Sequence, residues 1–225
     1  MTPGLVHVTQ VAPYHDGPAG VHGVLGQSWV ALAQLGESVG LEPVHVTDVR
    51  DADLSNARVL SLFTIGETPW SDDQRGVILR RLRAGDLRVL AIHAATDSCY
   101  GWDDYAAVVG ARFNGHPWTQ DMTLQVCNPA HPATAHLGAT WRWHDEVYQF
   151  RDLRPDAEVL LRVDPAELDL TRPGVVEQPF GFPLSWCFTE GSGRVFSSSL
   201  GHFPTAWENT GYLRHLAGGL EWALG

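Results

Sequence analysis

The N-terminal half of the chain alternates between short apolar runs and segments with helical spacing. Apolar runs occupy residues 5–11, 43–46, 58–63 and 87–92, and helical patterns occupy 24–39 and 72–83. The run at 87–92 carries one charge, Arg88, which is typical of a strand buried on both faces of a parallel sheet. Ser71 followed by Gln74 forms a capping-box pattern at the start of the second helix. This alternation predicts an α/β fold, a doubly wound and mainly parallel sheet with helices on both faces.

The alternation becomes looser after residue 102. A short helix is predicted at 103–109, and strands are predicted at 123–127, 158–163, 184–189 and 194–199. The last two flank the turn sequence EGSG at 190–193, which predicts a C-terminal β-hairpin. Residues 207–224 have apolar positions at helical spacing and predict a final helix against the sheet. Because the chain has no repeat and no long linker, we expect one domain over residues 1–225.

Composition removes several classes of function. All 15 basic residues of the 225 are arginine, so chemistry that needs a Schiff-base, pyridoxal-phosphate or P-loop lysine is excluded. The 26 acidic residues give a formal charge of −11, which argues against nucleic acid and anionic membranes as partners. The composition is compatible with a small neutral ligand, a metal or another protein as the partner. The three cysteines form no CxxC motif, and no secretory signal or membrane-spanning run is present, so a cytoplasmic location is expected.

His93 is the sharpest single candidate for chemistry. It follows the fourth predicted strand directly, and ligands of open α/β sheets bind beyond the carboxyl ends of the strands. The rule selects the loop at 93–97, which runs from His93 to Asp97, and also the loop after the first strand, which contains Tyr14, His15 and Asp16. A core histidine bonded to backbone is the structural alternative for His93.

A second constellation is the run HDEVY at 144–148. Two adjacent carboxylates beside a histidine can have their pKa values pushed apart, which gives one acid and one base. If the run is a strand, Asp145 faces away from Glu146 and Tyr148, so Glu146 is favoured when the site lies on the Tyr148 side. A solvated turn is the alternative.

Four further side chains complete the set of candidates from the residues themselves. His116 lies in a Gly–His–Pro loop, and His202 follows Gly201 at the end of the last predicted strand. Surface histidines are the alternative for both. Trp102 and Trp118 are candidates for a wall on which a sugar ring stacks, and ordinary core or surface aromatics are their alternative.

Two other signals are weaker. Cys99 precedes Tyr100-Gly101, as in the nucleophile segment of glutamine amidotransferases, but it lies well beyond the predicted strand end and no partner motif follows. We therefore do not expect a cysteine-dependent amidotransferase. The spacing of His131, His136 and His144 matches no zinc motif.

Several short motifs, taken in order, resemble the ThuA-like (trehalose utilisation) family. They are VLAIHAAT at 89–96, WDDY at 102–105, GARF at 110–113, GHP at 115–117, DEVY at 145–148 and LGH at 200–202. The resemblance implies a flavodoxin-like fold related to the class I glutamine amidotransferases, with His93 in place of the cysteine of the nucleophile elbow. It also implies a polar pocket made of His15, His93, His116, Asp145, Glu146, Tyr148 and His202.

The resemblance implies an enzyme that acts on a carbohydrate, with a keto-glycoside as the expected substrate. His93 or Glu146 would be the base, and His202 or Asp145 the acid. His15 and His116 would orient the substrate or hold a divalent metal. A non-catalytic sugar-binding or regulatory module is the rival, and the resemblance leaves a homodimer open.

Overall fold

The computed structural model describes residues 2–12 and 22–225, so the predictions for Tyr14, His15 and Asp16 lie outside the described residues. The strands are β1 (Gly4–Val8), β2 (Glu42–Val46), β3 (Ala57–Leu62), β4 (Arg88–Ile92), β5 (Arg112–Phe113), β6 (Trp118–Val126), β7 (Thr140–Val147), β8 (Phe150–Arg151), β9 (Glu158–Val163), β10 (Phe182–Glu190) and β11 (Gly193–Ser198). Nine of these described strands form one sheet in the order β2-β1-β3-β4-β11-β10-β9-β6-β7, and β5 pairs with β8 in a separate ribbon. The helices are α1 (His22–Ser38), α2 (Asp72–Ala84), α3 (Ala106–Val109), α4 (Pro204–Glu208) and α5 (Thr210–Leu224).

The N-terminal half folds as its sequence pattern predicts. Strands β1 to β4 pair in parallel, and β1 and β4 are buried along their whole length. The capping box of α2 is present, since the Ser71 hydroxyl accepts from the Gln74 amide and the Gln74 side chain accepts from the Ser71 amide. Gly85 ends this helix in the left-handed conformation with φ of 82°. The α/β fold is therefore confirmed.

Strand β11 joins the two parts of the sheet. It pairs in parallel with β4 and antiparallel with β10, so β11 completes the parallel part and starts the antiparallel part. The predicted C-terminal hairpin is β10 and β11. Beyond it, β9, β6 and β7 continue the antiparallel part. The sequence pattern did not predict the full lengths of β6 and β7, because their faces mix polar and apolar side chains.

Helices cover both faces of the sheet. Successive residues of a strand point to opposite faces, and those of β11 contact different helices. A Cβ on Gly219 of α5 would meet the Phe196 ring, whereas the Ser197 hydroxyl donates to a carbonyl of α3 and a Cβ on Gly193 would meet Leu82 of α2. Helix α5 therefore lies on one face, and α2 and α3 lie on the other. None of the described helices is long and apolar enough to cross a membrane.

The pairing of β4 with β11 decides where chemistry can be placed. Parallel strands end at the same edge of a sheet, so the residues that follow β4 and those that follow β11 are neighbours. His93 follows β4, and His202 lies a few residues after β11. The antiparallel part brings the end of β7 to the same region, since Tyr148 contacts His93.

Candidate functional site

His93 is held rigidly at the end of β4. Its backbone φ is 50°, a conformation that residues other than glycine rarely adopt, and it begins a short 3₁₀ turn that runs through Thr96. Its side chain is 1% exposed. The ring Nδ1 lies 3.0 Å from the Ser199 carbonyl and donates to it, which leaves Nε2 to face the other site residues. Burial lowers the pKa of His93 from 6.5 to about 3, so the ring is neutral at physiological pH.

Glu146 lies at the centre of the histidines. Its Oε2 lies 3.9 Å from His93 Nε2 and 3.4 Å from His202 Nδ1, and its Oε1 lies 3.5 Å from His116 Nδ1. Burial raises the pKa of Glu146, and the His202 ring opposes that increase. One carboxylate therefore contacts three imidazole rings, which come from the end of β4, from the loop before β6 and from the loop after β11.

His202 completes the cluster. Its Nδ1 lies 3.3 Å from His93 Nε2, and burial lowers its pKa. The turn before it requires glycine, since Gly201 has a φ of 118° and a Cβ there would lie 2.5 Å from the Tyr212 hydroxyl. The sequence Gly201-His202 thus sets the direction of the His202 ring.

Asp145 is fully buried and is satisfied by N–H donors. It accepts from the Trp143 indole, from the amide of Glu146, and from the amides of Gly201 and His202, at 2.8 to 3.3 Å. Burial raises the pKa of Asp145 to about 6, although these hydrogen bonds oppose the increase. Asp145 is placed to fix the backbone at residues 201 and 202, and its four N–H donors leave no oxygen free to carry the proton that the predicted acid role requires.

Two more side chains interact with the Glu146 carboxylate. The Tyr148 hydroxyl lies 3.2 Å from His93 Nε2, and Tyr148 is on the same side of the chain as Glu146, as the strand alternation predicted. Asp97 lies one turn after His93, and burial together with the Glu146 charge raises its pKa to about 7. Asp97 belongs to the loop that the sequence selected, but it was absent from the candidate residues, because nothing in the spacing distinguishes it from a solvated turn residue.

His116 is the most exposed member of the predicted set among the described residues. Its side chain is 43% exposed, and its ring contacts Tyr148 and Phe113. Burial of the rest of the ring lowers its pKa. His116 is therefore placed where a ligand entering from solvent would contact it first.

The two tryptophans do not lie at the cluster surface. Trp118 is 1% exposed, packs edge-on against Phe182 and donates its indole N–H to the Asp169 carbonyl. Trp102 is 5% exposed and packs against Tyr105 under the Arg75 guanidinium. The geometry thus matches the alternative interpretation of both residues as core aromatics, and it offers neither ring face to a sugar.

The structure also gives the surroundings of Cys99 and of the three spaced histidines. The Cys99 thiol is buried against the Thr68 hydroxyl at 2.9 Å, and burial raises its pKa, which is the opposite of what a nucleophile needs. His131, His136 and His144 have separate partners, namely the Ala133 amide, the Gly211 carbonyl and the Asp121 carboxylate.

Over the described ranges, one group of three metal-ligating side chains converges. It consists of His93, Glu146 and His202, whose ligand atoms all lie within 4.8 Å of one another. A buried carboxylate among neutral imidazoles can accept a proton, pass it on, or hold a cation. This chemistry is consistent with the residue types that the sequence selected.

The family of the protein follows from comparison with known sequences. The model of the trehalose utilisation family, ThuA, matches residues 15–223. The chain belongs to the ThuA family. The match contains every described member of the cluster. The curated proteins include no match.

Solved structures show how far the ThuA fold extends. The chain is similar to a ThuA-like protein from Bacteroides uniformis, with a TM-score of 0.77, 21% identity, and coverage of 99% of this chain and 92% of that one. A ThuA-like protein from Parabacteroides merdae gives a TM-score of 0.73 at 19% identity, covering 99% and 90%. A GMP synthase component from Thermoplasma acidophilum gives a TM-score of 0.54 at 10% identity, covering 98% of this chain and 94% of that one. The fold is thus that of the ThuA-like proteins and is related to that of the GMP synthase component.

Proposed function

We propose that this ThuA protein is a carbohydrate-active enzyme that transfers protons during the cleavage or isomerisation of a keto-glycoside. The observation that carries the proposal is the placement of one buried carboxylate, Glu146, within 4 Å of His93, His116 and His202. The family description, trehalose utilisation, supplies the substrate class. The absence of lysine leaves acid–base or metal chemistry as the routes to a carbanion.

The chemistry uses the acidity of a proton beside a ketone. Oxidation at C3 of a sugar acidifies the C2 proton, which Glu146 takes up. The bonding electrons form the C2–C3 double bond of an enolate, which then collapses and expels the C1 oxygen. The proton that Glu146 has taken up passes through the ring of His116 or His202, the two more exposed rings in contact with the carboxylate, to this leaving oxygen. Without expulsion, delivery of the proton to C3, with transfer of the C2 hydroxyl proton to the C3 oxygen, gives the 2-keto isomer.

The assignment of Glu146 as the base depends on access. The His93 ring is buried, bonded to the Ser199 carbonyl through Nδ1 and covered at Nε2 by Tyr148. Glu146 instead directs one oxygen toward His116, which reaches solvent. Of the two candidate bases, Glu146 is therefore the one that a substrate proton can reach through the exposed side.

The test is turnover of a panel of oxidised and unoxidised disaccharides, followed by chromatography of the products. We expect turnover of a 3-keto disaccharide, and a loss of about 10² to 10⁴-fold in kcat for Glu146→Gln, which keeps the shape but cannot act as a base. Glu221→Gln, an exposed position on α5, is the matched control and keeps wild-type turnover. Binding without turnover across the panel would instead identify a sugar-binding module.

A further inference from the structure

Three ligand atoms of the cluster point at one another at short range. His93 Nε2 and His202 Nδ1 lie 3.3 Å apart, His202 Nδ1 and Glu146 Oε2 lie 3.4 Å apart, and His93 Nε2 and Glu146 Oε2 lie 3.9 Å apart. In a tetrahedral or octahedral metal site with bonds of about 2.1 Å, neighbouring ligand atoms lie about 3.0 to 3.4 Å apart. The triangle of atoms is therefore of nearly the size that one cation requires.

The hydrogen bonds of His93 fix which atom it offers. The Ser199 carbonyl can only accept, so His93 Nδ1 carries the proton and the Nε2 of the neutral ring carries a lone pair. Glu146 Oε2 also offers a lone pair to the same point. Two lone pairs directed at His202 Nδ1 need either a proton or a cation between them. The Tyr148 hydroxyl lies 3.2 Å from the same Nε2 and also interacts with Glu146, so its proton can be donated to the carboxylate when Nε2 binds a cation.

The surroundings support the ligands as metal sites require. A ligating histidine usually donates its other ring N–H to a carbonyl or carboxylate, as His93 does to Ser199. The backbone at His202 is fixed by the buried Asp145 carboxylate. Two imidazoles and one carboxylate form a donor set that suits divalent transition metals better than Mg²⁺ or Ca²⁺, which prefer oxygen ligands alone.

We propose that His93, Glu146 and His202 bind one divalent transition-metal ion, with His116 beside it as a proton donor that the ion leaves free. The inference rests on the proposed function in that it concerns the same site. A bound ion would supply Lewis-acid stabilisation of an enolate oxygen. With His202 Nδ1 used as a ligand, the exposed His116 would carry the proton from Glu146 to the leaving group.

The test is calorimetric titration of chelator-treated protein with Zn²⁺ in the absence of any sugar. We expect uptake of one equivalent by the wild type and no corresponding uptake of Mg²⁺. Glu146→Gln and His202→Gln should each weaken Zn²⁺ binding by at least about tenfold. His144→Gln, which removes an exposed histidine beside Asp121, is the matched control and should keep wild-type affinity.

A second measurement covers the case in which a variant folds poorly. Co²⁺ bound by the wild type should give visible absorption bands that Glu146→Gln lacks, and circular dichroism reports whether that variant is folded. Failure of the wild type to take up Zn²⁺, or Zn²⁺ affinity equal to that of the wild type in both cluster variants, would overturn the inference. If Zn²⁺ does not bind but Glu146→Gln loses turnover, the acid–base function stands without an ion. If Zn²⁺ binds and no sugar is converted, the metal site stands and the proposed function falls.

Discussion

Two pairs of histidines in the described part of the chain differ in their partners. His7 and His215 form a core group, in which each ring nitrogen faces a hydroxyl or a carbonyl. His7 meets Ser61 and Ser28, and His215 meets the Ala133 carbonyl and Ser185. In the site group, His93 and His202 face each other and the Glu146 carboxylate.

The pKa alone does not separate the two groups. Burial lowers the pKa of His7 and of His93 to about 3, and that of His215 to about 4. The two groups differ in the partners of their ring nitrogens. Each nitrogen of the core rings has a neutral hydroxyl or carbonyl partner, whereas His93 Nε2 and His202 Nδ1 lie close to each other and to the Glu146 carboxylate. Buried histidines of the first kind hold the fold together, and those of the second kind are arranged for chemistry.

The largest expected effect is on turnover in the site group. His93→Asn should lower kcat/KM by about 10² to 10⁴-fold, because asparagine tolerates the positive φ but cannot reach Glu146. His215→Asn should keep wild-type turnover and lose stability instead. Steady-state kinetics and urea unfolding of both variants measure the contrast. Equal turnover in His93→Asn and the wild type would remove the distinction between the two groups.

The next effect concerns Asp145, which links the site to the backbone. Asp145→Asn replaces one acceptor oxygen by an N–H₂ group that faces the buried donors Trp143 and Gly201. We expect a loss of about 2 to 3 kcal/mol in the free energy of unfolding, since hydrogen bonds to a charged group are lost. Turnover should fall too, because His202 is no longer held. Asp121→Asn, at an exposed carboxylate, is the control. A stable Asp145→Asn variant would argue that the four N–H donors are not needed to place His202.

The core group, His7 and His215, should make the free energy of unfolding depend on pH. The pKa values of His7 and His215 lie below 6.5 in the fold, so protonation favours the unfolded chain. Their contribution to stability is present above pH 6.5 and is lost as the pH falls toward 4, by about 1.4 kcal/mol per pH unit for each group.

The measurement is urea unfolding at several pH values within that window. The wild type should lose stability as the pH falls, and His7→Gln and His215→Gln should each flatten the dependence. The exposed His144→Gln variant should not. An unchanged slope in both core variants would mean that these rings are already protonated in the fold.

The sequence predicted the parallel part of the fold better than the antiparallel part. Strand β4 is a continuous apolar run, so burial on both faces leaves a clear pattern, and His93 could be placed at its end. In β7 the exposed His144 precedes the buried Asp145 and Glu146, so polar residues occur on both faces and periodicity fails. Strand alternation still placed Glu146 with Tyr148. The function of Asp145 as a backbone anchor depends on Gly201, which is distant in sequence and adjacent only in the fold.

The smallest expected effect separates the core aromatics from the site. Trp118→Phe keeps the packing against Phe182 but loses the hydrogen bond to the Asp169 carbonyl, which should cost about 1 kcal/mol. Because the Trp118 ring is buried away from the cluster surface, KM for any sugar substrate should stay within about twofold of the wild-type value. Trp102→Phe should behave in the same way and serves as the parallel measurement. A KM that rises at least about tenfold with stability unchanged would restore the sugar-stacking hypothesis for that tryptophan, since lost packing alone lowers stability and leaves uniform substrate binding intact.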